Sequence, residues 1–510
     1  MLAAFGAAAP VRAADNPVVT IAQGALKGTS ADGIEAFKAI PFAQAPVGVL
    51  RWRPPAPAPA WQGVRDATAA GPVCIQGYKT ASTSVQSEDC LFVNVWRPAG
   101  TAPGAKLPVM VWIHGGAWLV GAGSLPVYDG SELARRGVIV VTLNHRLDLL
   151  GFFAHPALTA EDPSGRLGNY GIMDQIAALE WVQSNIAALG GDPGNVTIFG
   201  ESTGGISVNV LMTVPAARGL FAKGIAQSPG GRSEPLPIRG SGRRTAEGDG
   251  EAFAKTLGVT GTGPDALSAL RALPAEMFAR GFYPGFNDEI RSGDMGPIRD
   301  GMMIKESTMA AFTAGREAKI PYIIGSTSCE GCGSPPNANT AAFGEAKALR
   351  DRVIAIYGGA SIEAAVQFSS DLHMVEPAIT LARLHAANGQ KTWVYNFDYR
   401  TKATAAKFRG PPHFAEVPYV FGRLRDPKSA EYGIEWFEPA PEDLRASDDV
   451  ITYWTNFAKT SVPRAAGRPA WRAFTKANGM ALTFSEGGPV LEPHFREARV
   501  DIVTELANAK

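Results

Sequence analysis

The sequence predicts an α/β fold, a large and mostly parallel sheet flanked by helices. Three observations carry that expectation. Continuous β-branched runs suit strands buried on both faces. Leu107–Ile113 reads L-P-V-M-V-W-I, Val138–Leu143 reads V-I-V-V-T-L and Val196–Phe199 reads V-T-I-F. Between the last two, Met173–Leu189 carries apolar residues at helical spacing. The 57 glycines and 38 prolines argue for many turns and long connections rather than a helical bundle.

Along the chain, residues 1–14 are almost all small or apolar, and Val11-Arg12-Ala13 sets small residues where a signal peptidase reads. A basic n-region is missing, so the segment reads as a signal peptide or its remnant, with the mature chain starting near Ala14 or Asp15. Residues 15–510 are expected to form one domain. Val18–Phe42 reads as short strands broken by glycine turns. An amphipathic stretch, Gly205–Met212, follows the strand at Val196. Residues 233 to 320 are richer in Gly and Pro and read as insertions over the sheet. Later strands are expected at Tyr322–Gly325 and Thr392–Phe397, and Ser447 as the N-cap of a helix running through Trp454 and Phe457.

Composition narrows the function classes. Hydrophobic residues make up 45% and charged residues 19%, which supports a sizeable core and excludes a disordered chain. Lys plus Arg number 48, as do Asp plus Glu. That balance gives no electrostatic reason to expect nucleic acid or an anionic membrane as partner. No apolar run approaches the roughly 18 residues of a membrane span. The four cysteines, Cys74, Cys90, Cys329 and Cys332, form an even set that fits a secreted or periplasmic protein. Cys329-Glu330-Gly331-Cys332 lacks the second half of a zinc site, so no metal is expected.

Gly200-Glu201-Ser202-Thr203-Gly204 is a G-x-S-x-G between a strand and a helical stretch. In that setting it is a nucleophile elbow, a sharp turn that lifts the Ser202 hydroxyl out of the backbone. The pentapeptide alone is also what a glycine-rich turn with a capping serine looks like. His114-Gly115-Gly116-Ala117-Trp118 follows the strand ending at Ile113. Such a loop supplies N–H donors to a developing oxyanion. A serine nucleophile needs a base, and the base an acid, in the chain order Ser, Asp or Glu, His. Of seven histidines, His114, His145 and His155 precede Ser202. His413, in a Gly-Pro-Pro-His loop, is preferred; His373 and His385 lie in helical-looking segments, and His494 is the reserve. Glu330, shortly after the strand at Tyr322, is one acid among many carboxylates.

These motifs together resemble the type-B carboxylesterases, the family of cholinesterases and bacterial carboxylesterases. The likeness includes Ser87-Glu88-Asp89-Cys90-Leu91, Asn169-Tyr170-Gly171 with Asp174-Gln175, Gly190-Gly191-Asp192-Pro193 and the elbow. It continues through Gly325–Gly331 and through His413 with Glu416 and Pro418–Gly422. It implies an α/β-hydrolase fold with long insertions over the active site, and ester hydrolysis without a cofactor. It assigns the base to His413, the acid to Glu330 and the oxyanion donors to the N–H groups of Gly116, Ala117 and Thr203. It sets Trp118 beside the substrate and pairs Cys74 with Cys90.

Departures from the family pattern bear on the substrate, a small-molecule ester. Thr203 replaces a usual alanine and Asp148 a usual glycine. Arg232 follows Gln227-Ser228-Pro229-Gly230-Gly231, a segment that lines the acyl pocket in the family. A guanidinium there would grip an acyl carboxylate, unless it faces solvent or pairs with Glu234. In size, export and overall pattern the chain also resembles the fumonisin-esterase branch, whose members remove tricarballylate esters, and Arg232 would suit that polyacid. A generalist esterase of aryl or short-chain alkyl esters is the alternative. A non-catalytic cholinesterase-like binding protein is the alternative of another class. Whether Cys329 and Cys332 bond to each other stays open.

Overall fold

The computed structural model describes residues 16–77, 85–162, 164–241, 244–279, 296–332, 342–424 and 438–509. The expected signal segment, residues 1–14, lies outside them. One sheet takes in eleven strands. In chain order these are β1 (Thr29–Ala31), β2 (Ile34–Pro41), β3 (Phe92–Pro98), β4 (Leu107–Ile113), β5 (Ile139–Leu143), β6 (Gly191–Glu201), β7 (Lys223–Gln227), β8 (Tyr322–Thr327), β9 (Thr392–Phe397), β10 (Ala481–Ser485) and β11 (Gly488–Glu492). Across the sheet they run β11-β10-β9-β8-β7-β6-β4-β5-β3-β2-β1. From β10 to β5 every pairing is parallel. The flanking pairings are antiparallel. This is the α/β-hydrolase arrangement the sequence predicts.

The central strands are covered on both faces, which suits their largely apolar runs. Every residue of β5, β7, β8 and β9 is buried. Helix Tyr170–Asn185 supplies cover on one side, with Ile172, Ile176, Leu179 and Val182 in the same core as Val109, Val111 and Ile198. The early strands divide differently. Val18–Ile21 and Gly24–Lys27 form a hairpin in a separate three-stranded sheet, while β1 and β2 join the main one.

Two expectations are corrected. Ser447 does not cap a helix: it lies inside Pro441–Thr460, buried, donating its hydroxyl to the Tyr419 carbonyl at 2.8 Å. The start signals are Pro441 in the first turn and Asp443, whose carboxylate accepts the Ala440 N–H at 2.7 Å. The stretch 233 to 320 is also more regular than its glycines and prolines suggest. Helices Ala246–Thr256, Pro264–Ala272 and Thr308–Thr313 form in it. Phe253, Leu267, Leu270 and Phe278 pack there against Trp52, Phe153 and Tyr170 of the main body.

The strand order fixes where chemistry can occur. β5 lies on one side of β4 and β6 on the other. Chain direction across the sheet therefore reverses between β4 and β6, and a crevice opens at their carboxyl ends. Gly200 pairs with Ile113 there, so the loops after both strands leave side by side. Two ion pairs, one buried and one part-buried, brace this region. Arg146 grips Asp174 through Nε and Nη2 at 2.8 and 2.7 Å, and Arg51 grips Glu88 at 2.7 Å from both Nε and Nη2.

Candidate active site

Ser202 sits at the crevice with φ 56° and ψ −125°, outside the conformations that L-residues favour. Its neighbours explain how the turn closes. A Cβ on Gly204 would lie 2.1 Å from the Ile113 oxygen, and one on Gly200 would lie 2.6 Å from it. Only glycine fits at either position. The Ser202 N–H donates to the Gln227 carbonyl at 2.9 Å, tying the turn to β7. Helix Thr203–Thr213 then begins, so the Thr203 N–H has no partner within the helix.

The loop after β4 runs against this turn. A Cβ on Gly115 would come within 3.0 Å of the Ser202 Cβ. Gly116 has φ 117° and Ala117 φ 56°. Among the described residues, the N–H groups of Gly116 and Ala117 donate to no backbone carbonyl. The loop rests on two stacked, buried imidazoles, His114 and His145, with centroids 4.5 Å apart. Burial and their mutual proximity push His114 down to about 3, and burial pushes His145 down to about 4, so both are neutral.

Glu330 and His413 meet although 83 residues separate them. Glu330 follows β8 and is 7% exposed. Its Oε2 contacts His413 Nδ1 at 2.5 Å, and its Oε1 accepts from the Thr327 N–H and the Ser228 hydroxyl, each at 2.7 Å. Burial alone would raise this carboxyl; His413, Ser228 and Thr327 outweigh it and hold the pKa below its ordinary value. The other downstream histidines are engaged elsewhere. His385 is buried against Glu317, and His373 and His494 are exposed beside Ser369 and Glu497.

Two further carboxylates face His413, and the motifs alone do not give them a role. Glu201, the variable residue before the serine, lies 3.1 Å from Nε2 through Oε1. Glu416 accepts from Tyr395 Oη at 3.2 Å. Both are buried: burial first, then neighbouring carboxylates, raise Glu201 to about 8 and Glu416 to about 7. Burial disfavours a charged imidazole, but Glu201, Glu330 and Glu416 outweigh it and raise His413 to about 10. Among the described residues, Ser202 Oγ makes no side-chain hydrogen bond to His413.

The remaining expectations divide. Trp118 is 5% exposed and packs its indole edge-on to Phe152 and His145. It belongs to the core cluster that runs beneath the loop. Its carbonyl accepts the Asp148 N–H at 2.7 Å, and Asp148 has φ 48°, the left-handed region that suits the glycine usual there. Arg232 is neither unpaired nor on Glu234. Its Nε and Nη2 engage the buried carboxylate of Glu376, the former at 2.6 Å, which largely offsets the expected free cation. Glu376 lies on helix Glu376–Ala387 and also accepts from the Thr380 and Thr504 hydroxyls. Cys74 bonds to Cys90, and Cys329 to Cys332.

Comparison with known proteins bears on this geometry. The family model described as the carboxylesterase family matches residues 15–356 and 355–503. A fumonisin B1 esterase of Sphingopyxis macrogoltabida is 35% identical over 488 residues, covering 90% of this chain and 85% of that protein. A para-nitrobenzyl esterase of Bacillus subtilis (strain 168) is 36% identical over 480 residues, covering 90% and 93%. A solved PNB esterase structure superposes with a TM-score of 0.80 at 33% identity, over 96% of this chain and 100% of its own.

Proposed function

This chain belongs to the carboxylesterase family and is a carboxylic ester hydrolase; from that premise we propose that hydrolysis runs through an acyl-enzyme on Ser202. His413 takes the serine proton on Nε2, turning from Glu201 toward Ser202 as the substrate seats. Glu330 holds Nδ1 and stabilises the imidazolium that forms. The tetrahedral oxyanion rests on the N–H groups of Gly116, Ala117 and Thr203. His413 then protonates the leaving alcohol, and a water repeats the sequence to release the acid. The observation that carries this reading is the 2.5 Å contact between Glu330 and His413 beside a serine held at positive φ.

Neutral aryl or short-chain alkyl esters are the substrates the site supports best, because Glu376 offsets the charge of Arg232. One observation favours a second reading, esters of polycarboxylic acids such as the tricarballylates of fumonisin. Glu376 occupies Nε and Nη2 of Arg232, leaving Nη1 to donate to an acyl carboxylate. We read residues 15–510 as one catalytic domain that works in an oxidising, extracytoplasmic compartment. The two disulfides support that placement. No helix among the described residues is long and apolar enough to cross a membrane.

The test is hydrolysis of p-nitrophenyl butyrate and of fumonisin by wild type, Ser202→Ala and Arg232→Ala, with fluorophosphonate labelling of each. Ser202→Ala should lose turnover and label together. An unlabelled wild type would instead point to a non-catalytic binding protein. Preference for fumonisin that Arg232→Ala weakens would establish the polyacid reading; turnover of the neutral ester alone would retire it.

A further inference from the structure

The acid of the site lies inside a covalent ring. Glu330 is one of two residues between Cys329 and Cys332, which are bonded to each other. Upstream, the loop is well anchored. Ser328 donates its N–H to Phe397 at 2.8 Å and its hydroxyl to Asp398 at 2.5 Å, and Arg496 donates to the Ser328 carbonyl at 2.9 Å. Downstream of Glu330, the ties include the Gly331 N–H to the Ser370 hydroxyl at 3.0 Å, the Cys332 N–H to the Cys329 carbonyl at 3.0 Å and the disulfide itself.

The same ring touches the loop that carries the base. A Cβ on Gly410 would lie 2.7 Å from the Cys329 Cβ, so the two loops meet at this half-cystine. Both sulfur-bearing residues line a cavity of about 540 Å³, together with Ser328, Phe408, Gly410 and Arg496. Cys332 is only half-buried, whereas Cys74 and Cys90 are 3% and 1% exposed. The Cys329–Cys332 disulfide is therefore the more open of the two to a small reagent.

We propose that the Cys329–Cys332 disulfide is a positioning clamp on Glu330, and that a dithiol entering the adjoining cavity opens it and slows ester hydrolysis. This rests on the reading of Glu330 as the acid. In the opening step a reagent thiolate attacks the Cys332 sulfur, the S–S bond breaks and Cys329 leaves as a thiolate that takes up a proton. The second reagent thiol then attacks the mixed disulfide and frees Cys332 as a thiol. The protein gains two electrons and two protons, and the reagent is oxidised to a cyclic disulfide. The acid touches no substrate, so the loss falls on kcat and not on KM.

The experiment treats the full chain with dithiothreitol under native conditions and measures kcat and KM. Alkylation and peptide mass mapping locate the free thiols. Cys329→Ser/Cys332→Ser and Glu330→Gln are assayed beside it. The expected result is labelling of Cys329 and Cys332 alone, with kcat lower by about tenfold or more, since a misplacement of about 1 Å can cost ~10² in rate. KM should hold, and kcat should return when the unalkylated sample is reoxidised. Unchanged kcat in protein mapped as reduced at both cysteines would overturn the clamp, as would finding these thiols free in active, untreated protein. Resistance of this disulfide to the reagent would overturn its accessibility, and unchanged kcat in the double variant its positioning role. Reduction that unfolds the chain by circular dichroism would make it a fold element instead. Wild-type turnover by Glu330→Gln would remove the premise; an inactive Glu330→Gln beside a fully active reduced enzyme would sink the clamp alone.

Discussion

Ser228→Ala removes one hydroxyl from a buried site. Ser228 is fully buried and donates to Glu330 Oε1 at 2.7 Å. Without it, that oxygen keeps only the Thr327 N–H, and Oε2 keeps His413. A hydrogen bond to a charged group contributes about 1.5–3 kcal/mol. If about 1.4 kcal/mol of that is lost at the transition state through a looser Glu330, kcat falls about tenfold. The same substitution has a stability signature with a definite sign. Glu330 has a folded-state pKa below its ordinary value of 4.5, so its ionised-form bonds stabilise the fold above that value. Their contribution disappears as pH drops through the lower, folded-state pKa. Urea unfolding of variant and wild type should therefore differ most at neutral pH, by about 1.5–3 kcal/mol, and converge on acidification. Steady-state kinetics supplies the other half of the assay. Unchanged kcat together with an unchanged urea midpoint would refute the reasoning, leaving Thr327 and His413 as sufficient anchors.

Two further outcomes follow from the geometry. Glu201, Glu330 and Glu416 raise His413 against the opposing effect of burial, so its proton leaves at a higher pH than an ordinary imidazole's. The acid limb of the pH profile of kcat/KM should lie above 6.5, the unperturbed histidine value, and a limb at or below it would contradict the electrostatics described. Asp174→Ala strands the buried Arg146 guanidinium, which should cost about 3–5 kcal/mol of stability. The urea midpoint should drop while kcat per folded molecule holds, and an unmoved midpoint would count against a bracing role.

How much of this was legible in the sequence depended on the range of the interaction. β4, β5, β8 and β9 announce themselves because a strand covered on both faces carries a run of apolar residues. The elbow is equally visible, since Gly200 and Gly204 are dictated by an oxygen only one strand away. Ser447 misled because a cap-type residue is also at home in a helix interior when it finds a carbonyl, here Tyr419. Glu201 and Glu416 carry no local mark of burial, and burial is what shifts them. Arg232 could not be read correctly without Glu376, which lies 144 residues downstream. The Cys329–Cys332 bond was undecidable from spacing, because a C-x-x-C accommodates thiols and a disulfide alike.

Arg496 gives the site an order in time. It binds Asp371 through Nη1 and the Ser328 carbonyl through Nη2, and 168 residues separate it from Ser328. During synthesis Ser202, Glu330 and His413 all leave the ribosome before it does. A nascent chain that has reached Phe495 holds each of those three side chains, yet lacks the guanidinium that ties the Glu330 loop to the helix turn at Asp371. The Glu330 loop is therefore fully tied only once Arg496 has been made, after all three of those side chains.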